Sequence, residues 1–326
     1  MMWYLDARAV AEAMPPLDDQ VLLAERALLA VEDGGQVAGK VSVHPRAESA
    51  IAYAMPASLQ SSAGQTDSAL GIKWVTIFPG NSDLGLPTVN SVIVLNDPRT
   101  LVPIALMDGS VITGVRTAAV SGVAVARLAP VRAGRALKIA LVGAGVQGRS
   151  HVPMLGHVAP GHVLTVYDRH PDRADELAAA ARDTRGIAGA SVAPTARRAI
   201  EDADVVITAA SFGPTRQVMT DRWLRPDALV VSVDYEMYAS KEVARGANLF
   251  LVDELQGFSN SKAEGRFEGF PDATRTLGGF MRSKDRRPSG RVLVTHLGMG
   301  LTDVVFAAAV FDRARAQGLG LELPPS

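Results

Sequence analysis

The stretch LKIALVGAGVQGRSHVPML, Leu137–Leu155, decides the reading of the fold. An apolar run meets three glycines and continues as a helix-like segment. Gly143, Gly145 and Gly148 spell G-x-G-x-x-G after an expected strand and before an expected helix. Gly143 permits a tight turn, Gly145 lets backbone approach a pyrophosphate, and Gly148 lets helix and strand pack closely. The first helical turn, with Val146 and Gln147, presents unpaired N–H groups and a partial positive charge to phosphate. Asp168 ends the next apolar strand, 20 residues beyond Gly148, placed to accept hydrogen bonds from both ribose hydroxyls. A carboxylate there repels a 2′-phosphate, so NAD(H) is favoured. Arg169, directly after it, keeps NADP(H) open.

Outward from the glycines, apolar strand candidates fall at Leu137–Val142, Val163–Tyr167, Asp204–Ala209, Leu229–Val233 and Leu249–Val252. Helical segments such as Pro171–Ala181 separate them. Continuous apolar strands of this kind predict a Rossmann-type, doubly wound parallel sheet covered on both faces. The region before it reads differently. A helix is expected over Asp18–Glu32, then short strand runs at Lys40–His44, Ile51–Met55, Gly71–Ile77 and Ser91–Asn96. Loops rich in Gly, Pro, Asn and Ser separate these runs, which predicts a smaller α+β domain on an antiparallel sheet. A helix follows at Thr117–Leu128, and Thr302–Gln317 reads as one amphipathic helix. The boundaries are therefore 1–128, completed by 301–326, and 129–300.

A length of 326 residues suits two domains. Lys and Arg number 33 against 34 Asp and Glu, a net charge of −1, which favours neither nucleic acid nor an anionic membrane as partner. With no cysteine, disulfides, thiolate catalysis and zinc–sulfur sites are excluded. No pair of histidines and carboxylates has metal-ligand spacing. The first residues carry no basic segment followed by an apolar one, and no uninterrupted apolar run reaches roughly 18 residues. A cytoplasmic protein is expected.

Further motifs lie outside the glycine loop: GIKWVTIFPGN (Gly71–Asn81), GLPTVNSVIVLND (Gly85–Asp97), ALMDGSVITGVRTAAVSGVAVARLAP (Ala105–Pro130), VDYEMYASKEV (Val233–Val243) and GLTDVVFAAAVFDRARAQGLG (Gly300–Gly320). Through them the chain resembles the ornithine cyclodeaminase/μ-crystallin family, nearly end to end. The resemblance implies a homodimer whose first domain binds substrate and forms the subunit interface. It implies a second domain that binds the nicotinamide cofactor, and a substrate site in the cleft between the two. The family holds cyclodeaminases, ketimine reductases, amino-acid dehydrogenases, opine-like synthases and a lens hormone-binding protein.

Residues follow from the chemistry that the resemblance implies. Hydride passes between an α-carbon and the nicotinamide, so a carboxylate must be held and a proton on nitrogen managed. Arg116 matches the family arginine that clamps the carboxylate with its planar fork. Lys73 matches the active-site lysine. Set in an apolar strand beside Trp74 and Val75, it calls for a carboxylate partner or a lowered pKa. Asp234 matches the catalytic aspartate, although Val233 and Tyr235 depart from the family's small residue and proline around it. Lys40 stands where cyclodeaminases carry a second arginine, and Tyr53 where the ornithine enzyme has a glutamate for the side-chain amine. Met55 is expected to line the pocket or fill the core. Thr117 is placed near cofactor phosphate and Ser211 near the nicotinamide ribose. His296 and His44 read as structural histidines, and Asp303 as a cap or interface residue.

The sequence therefore points to an NAD(H)-dependent oxidoreductase acting on the C–N bond of an α-amino or α-imino acid. With no carboxylate at Tyr53, imine reduction or amino-acid dehydrogenation ranks before ornithine or lysine cyclodeamination. An opine-like enzyme of diaminopropionate synthesis follows, resembling this chain in FPGN and VLND. A non-catalytic binding protein is the rival of another class.

Overall fold

The computed structural model describes residues 1–45, 50–60 and 68–324. The Gly- and Ser-rich loop expected after the Ile51 strand falls largely at 61–67, outside the described residues. The chain divides into two compact units, residues 1–116 with 298–326, and residues 117–297.

The first unit opens with β1 (Met2–Leu5), α1 (Ala7–Glu12) and α2 (Leu17–Glu32), followed by β2 (Gln36–Val37) and β3 (Val41–Val43). Longer strands come next: β4 (Ile51–Leu59), β5 (Ala69–Ile77), β6 (Val89–Asn96) and β7 (Pro103–Asp108). They form an eight-stranded sheet in the order β15-β1-β7-β6-β5-β4-β2, with β3 also on β4, where β15 (Leu321–Leu323) comes from the far end of the chain. The sheet is antiparallel except where β1 runs parallel to β7, so the antiparallel expectation holds only in part. The strands β1, β2, β7 and β15 fall outside the expected runs.

Alternation decides what β5 does. Lys73 and Val75 are buried while Trp74 between them is 43% exposed, the period of two that puts neighbours on opposite faces. The buried face packs under α10 (Gly300–Gln317), which lies on β4, β5 and β6 with α2 on its other side. Because it is covered twice, Gly300–Ala307 is buried all round, rather than amphipathic as its sequence suggests. Each fully buried Leu, Val or Phe there contributes about 1.5–3 kcal/mol.

The chain passes between the units inside α3 (Gly109–Leu128), where the sequence places a boundary at the helix end. This helix begins at Gly109, so Arg116 sits in mid-helix rather than at a helix start. It is long and apolar enough to cross a membrane by length and composition, yet 72% of that stretch is buried, as in a core helix.

The second unit alternates strands and helices: β8 (Lys138–Val142), α4 (Val146–Val158), β9 (His162–Tyr167), α5 (Pro171–Arg182), β10 (Ile187–Val192), α6 (Ala196–Ile200), β11 (Val205–Thr208) and β12 (Leu229–Ser232). There follow α7 (Lys241–Arg245), β13 (Leu249–Val252), α8 (Leu255–Ala263), α9 (Leu277–Arg282) and β14 (Val292–Thr295). All seven strands are parallel, in the order β10-β9-β8-β11-β12-β14-β13. Strands β11, β12 and β14 are buried at every residue, as a sheet covered on both faces requires. Order reverses between β8 and β11, the switch point beside which such sheets bind ligands. Two strands fall outside the expected runs: β10, a half-exposed edge carrying Ala, Gly and Ser, and β14, a buried run of four residues, VLVT.

Candidate active site

In the second unit the glycine loop follows β8. Gly143 has φ +109, and a side chain there would sit 2.4 Å from the Ala209 carbonyl oxygen. A Cβ on Gly148 would lie 2.0 Å from the Gly143 carbonyl oxygen. Both glycines are demanded by the protein itself. Gly145 is not: a Cβ there would meet no protein atom within 4 Å. Bare backbone facing open space at the start of α4 has no internal reason, and it fits the approach of a pyrophosphate. No side chain caps α4, so the N–H groups of Val146 and Gln147 stay available for phosphate. Asp168 stands half-buried beside this turn. Its Oδ2 accepts from the Ala144 N–H at 2.7 Å and its Oδ1 from the His170 N–H at 2.8 Å. Each oxygen keeps a lone pair for a ribose hydroxyl. Arg169 and Ser211 are exposed, and Thr117 is buried. This loop therefore has the form of a dinucleotide site, in which Gly145, Val146, Gln147 and Asp168 would hold the ligand.

Asp234 follows β12 and is 2% exposed. Its Oδ1 faces the hydroxyls of Thr208 at 2.8 Å and Ser232 at 3.2 Å, and its Oδ2 accepts from the Ala210 N–H at 3.1 Å. Ser232 also reaches the Tyr235 carbonyl, and with one hydroxyl proton it donates to one acceptor at a time. Burial drives the Asp234 carboxyl up to about 6, against the pull of the Thr208, Ala210 and Ser232 hydrogen bonds. It can therefore hold or release a proton near neutrality. Next to it Tyr235 adopts φ +59, with its ring stacked on Phe267 at 5.8 Å and Arg266 over it at 5.1 Å.

A second buried chain in this unit was invisible to motif reading. His151 Nδ1 lies 2.6 Å from the Gln147 carbonyl oxygen, His151 Nε2 2.8 Å from Ser121 Oγ, and Ser121 Oγ 2.9 Å from His296 Nε2. Burial lowers His151 to about 4, so the ring is neutral at pH 7. The carbonyl only accepts, so His151 Nδ1 donates and its Nε2 accepts the Ser121 hydroxyl proton. His296 Nε2 must then donate to Ser121. His296 thus has the hydrogen-bonded structural place that its sequence suggested.

The first unit holds the cations. Lys73 on β5 is 1% exposed and Arg116 on α3 is 6% exposed. Between them stands Asp303 of α10, at 0% exposure. Lys73 Nζ is 2.7 Å from Asp303 Oδ2, and Arg116 Nε donates to Asp303 Oδ1 at 2.9 Å. Lys73 Nζ also reaches Thr113 Oγ1 at 3.4 Å. Burial brings the Lys73 ammonium down to about 7; Asp303 opposes this, while Arg116 and Lys40 add to it. Both alternatives posed by a lysine in an apolar strand, an acidic partner and a lowered pKa, are met together. Asp303 is accordingly no cap or interface residue: it is buried and ion-paired within its own unit. The signal was present in the sequence, since one acid inside the apolar GLTDVVFAAAVF demands a buried cationic partner.

Around this cluster, Met55 is the cross-strand neighbour of Lys73. Tyr53, two residues along β4, is buried, and Lys40 Nζ lies 5.6 Å from its ring centroid. Lys40, Tyr53, Met55, Lys73 and Arg116 thus belong to one unit, and Asp234 with the glycine loop to the other. Among the described residues, no three of His, Asp and Glu gather as metal ligands.

A family model described as the ornithine cyclodeaminase/mu-crystallin family matches residues 6–318. The nodulation efficiency protein NfeD of Rhizobium meliloti is 33% identical over 291 residues, covering 86% of this chain and 85% of that protein. The structure is similar to that of Thermococcus litoralis Δ1-pyrroline-2-carboxylate reductase in complex with NADH and L-proline. The identity there is 27% and the TM-score 0.85, over 99% of this chain and 100% of that one. An archaeal alanine dehydrogenase dimer with bound NAD matches at 26% identity and TM-score 0.83, over 99% of each chain.

Proposed function

The chain belongs to the ornithine cyclodeaminase/mu-crystallin family, and we propose that it is an NAD(H)-dependent enzyme of C=N chemistry, reducing a small α-imino acid or oxidising the matching α-amino acid. The observation that carries this reading is the buried Lys73–Asp303–Arg116 cluster: two cations sharing one carboxylate keep one net positive charge for a substrate carboxylate. The glycine turn with its uncapped helix fits the dinucleotide, and both solved relatives named above hold one.

When bound, the reduced nicotinamide supplies the hydride. The chain's own residues do the rest. Arg116 and Lys73 hold the carboxylate. Lys73 and Asp234, near 7 and 6, can each exchange a proton close to neutral pH, as reduction of an imine and release of an amine require. Tyr53 with Lys40 near its ring offers no counter-charge to a cationic side chain, which favours a neutral or cyclic substrate over ornithine or lysine.

The first unit also leaves an apolar row open on the face of its sheet away from α10. Val41, Ala54, Trp74 and Val92 are cross-strand neighbours in succession, and Val41, Trp74 and Val92 are 62%, 43% and 42% exposed. A second copy of the chain is the proposed cover, giving a homodimer.

Absorbance at 340 nm with NADH tests the reading against Δ1-pyrroline-2-carboxylate, other cyclic imines, and 2-oxo acids with ammonia. NADH consumption with an imino acid is expected. Tight NADH binding with no turnover on any of them would overturn the assignment in favour of a binding protein.

A further inference from the structure

The clamp residue Arg116 is itself clamped. A guanidinium offers a carboxylate two double-donor edges, Nε with one Nη, or the two Nη together. Asp303 takes the first at Nε, 2.9 Å away. Gly298 bears on the second. A side chain there would lie 2.7 Å from Nη1, 2.7 Å from Nη2 and 3.0 Å from Cζ of Arg116. Being farther from Cζ than from either nitrogen, that missing Cβ belongs at the Nη edge and not over the flat face. The Gly298 Cα, one bond of about 1.5 Å from that position, lies close to both nitrogens, so Gly298, at φ +79, packs its backbone against this edge.

We propose that Asp303 is a positioning residue: its two oxygens hold Lys73 and the Nε of Arg116 as one rigid pair that receives a single substrate carboxylate. Asp303 itself touches no substrate. It removes one unit of the pair's charge, leaving one positive charge on the pair when Lys73 is protonated. It also fixes the Arg116 fork and keeps a proton on Lys73 that Arg116 and Lys40 would otherwise repel. The charged groups acting on Lys73 are Asp303 from α10, Arg116 from α3 and Lys40 from the segment before β3. Within α3, Thr113 spends its hydroxyl proton on the Gly109 carbonyl at 2.7 Å and so receives from Lys73.

This inference rests on the proposed reading for the identity of the carboxylate, and the test separates the two. Wild-type turnover with an imino acid tests the reading. Asp303→Asn and Asp303→Glu test the inference, with L-proline as the carboxylate probe on the NADH complex and ¹⁵N NMR of Lys73 Nζ, which needs no substrate. Asp303→Asn should weaken L-proline binding, and raise any measurable KM, at least tenfold, with NADH affinity held within twofold. The Lys73 titration, and the limb of the pH–rate profile that belongs to it, should move to lower pH by about one unit or more. Asp303→Glu should recover part of both effects. If Asp303→Asn leaves the Lys73 titration in place, or if Asp303→Glu rescues nothing, the positioning role is wrong. Should Asp303→Asn fail to fold, the double variant Asp303→Asn/Lys73→Met removes the unpaired cation. The inference expects it to fold, and a double variant that also fails overturns it.

Discussion

In the first unit the buried Lys73 and Arg116 keep their charges close to a third charge, Asp303. In the second, the buried His151 and Asp234 are surrounded by hydroxyls, a carbonyl and a backbone N–H; burial moves them toward the neutral form as it does Lys73, but no opposite charge stands beside them to oppose it. The contrast follows from cost. A lone ion out of water is expensive unless paired, whereas a neutral imidazole or carboxylic acid needs only hydrogen bonds. One unit therefore keeps an ion-paired cluster, as the proposed carboxylate site requires. The other holds groups that can exist without charge, beside a loop of bare backbone.

The contrast can be broken most decisively at Lys73. Replacing it with Met leaves Asp303 paired with Arg116 and fills the space with an apolar chain, so the fold should survive. Turnover should fall about 10²–10⁴-fold while NADH affinity is unchanged; intact turnover would take Lys73 out of the chemistry. Gly298→Ala should act next most strongly, raising KM tenfold or more, because its methyl would collide with the Arg116 guanidinium and push it out of place. An unchanged KM would show that the carboxylate docks elsewhere.

The glycine loop sharpens the other side. Gly148→Ala should cost about 1–3 kcal/mol of stability in denaturant, because its methyl meets the Gly143 carbonyl. Gly145→Ala should leave the melting temperature unchanged and weaken NADH about tenfold, since only a ligand fills that space. Equal effects of the two on stability would refute the division between fold glycines and a ligand glycine.

The smallest effect concerns acid. His151, lowered from 6.5 to about 4, makes the protein lose stability as pH falls through that window, because the unfolded chain binds the proton first. Asp234, raised from 3.8 to about 6, does the reverse: its contribution is full below 3.8 and is lost as pH rises through 6. The two offset each other, and His162, also lowered by burial, adds to the histidine side, so the wild-type urea midpoint should fall only modestly between pH 6 and 4. Asp234→Asn should steepen the decline on acidification. A flat profile in that variant would mean that His151 is protonated in the fold without penalty.

The sequence was legible where physics is local. Strand β13 was marked out residue for residue by Leu249–Val252, and α2 and α5 to within one residue. The Ala- and Gly-bearing β10 and the short β15 were not, since their strand character comes from neighbours rather than from composition; β1 (MWYL) and β14 (VLVT) also lay outside the expected runs, although their composition suits a strand. The placement of Lys73 on a buried face was legible from alternation with Trp74. Its partner was not, because nothing local ties Asp303 to it.

By itself, then, the amino-acid order determined a parallel sheet, a glycine turn able to receive a pyrophosphate, and cations suited to a carboxylate. Period and backbone freedom are properties of a few adjacent residues. Only the tertiary structure decided that Asp303, 187 residues from Arg116, shares its two oxygens between Arg116 and Lys73, and that Ser121 joins His151 to His296. Such pairings arise when packing brings distant segments into low dielectric, where each buried polar group must find a partner and the chain carries no local mark of which one.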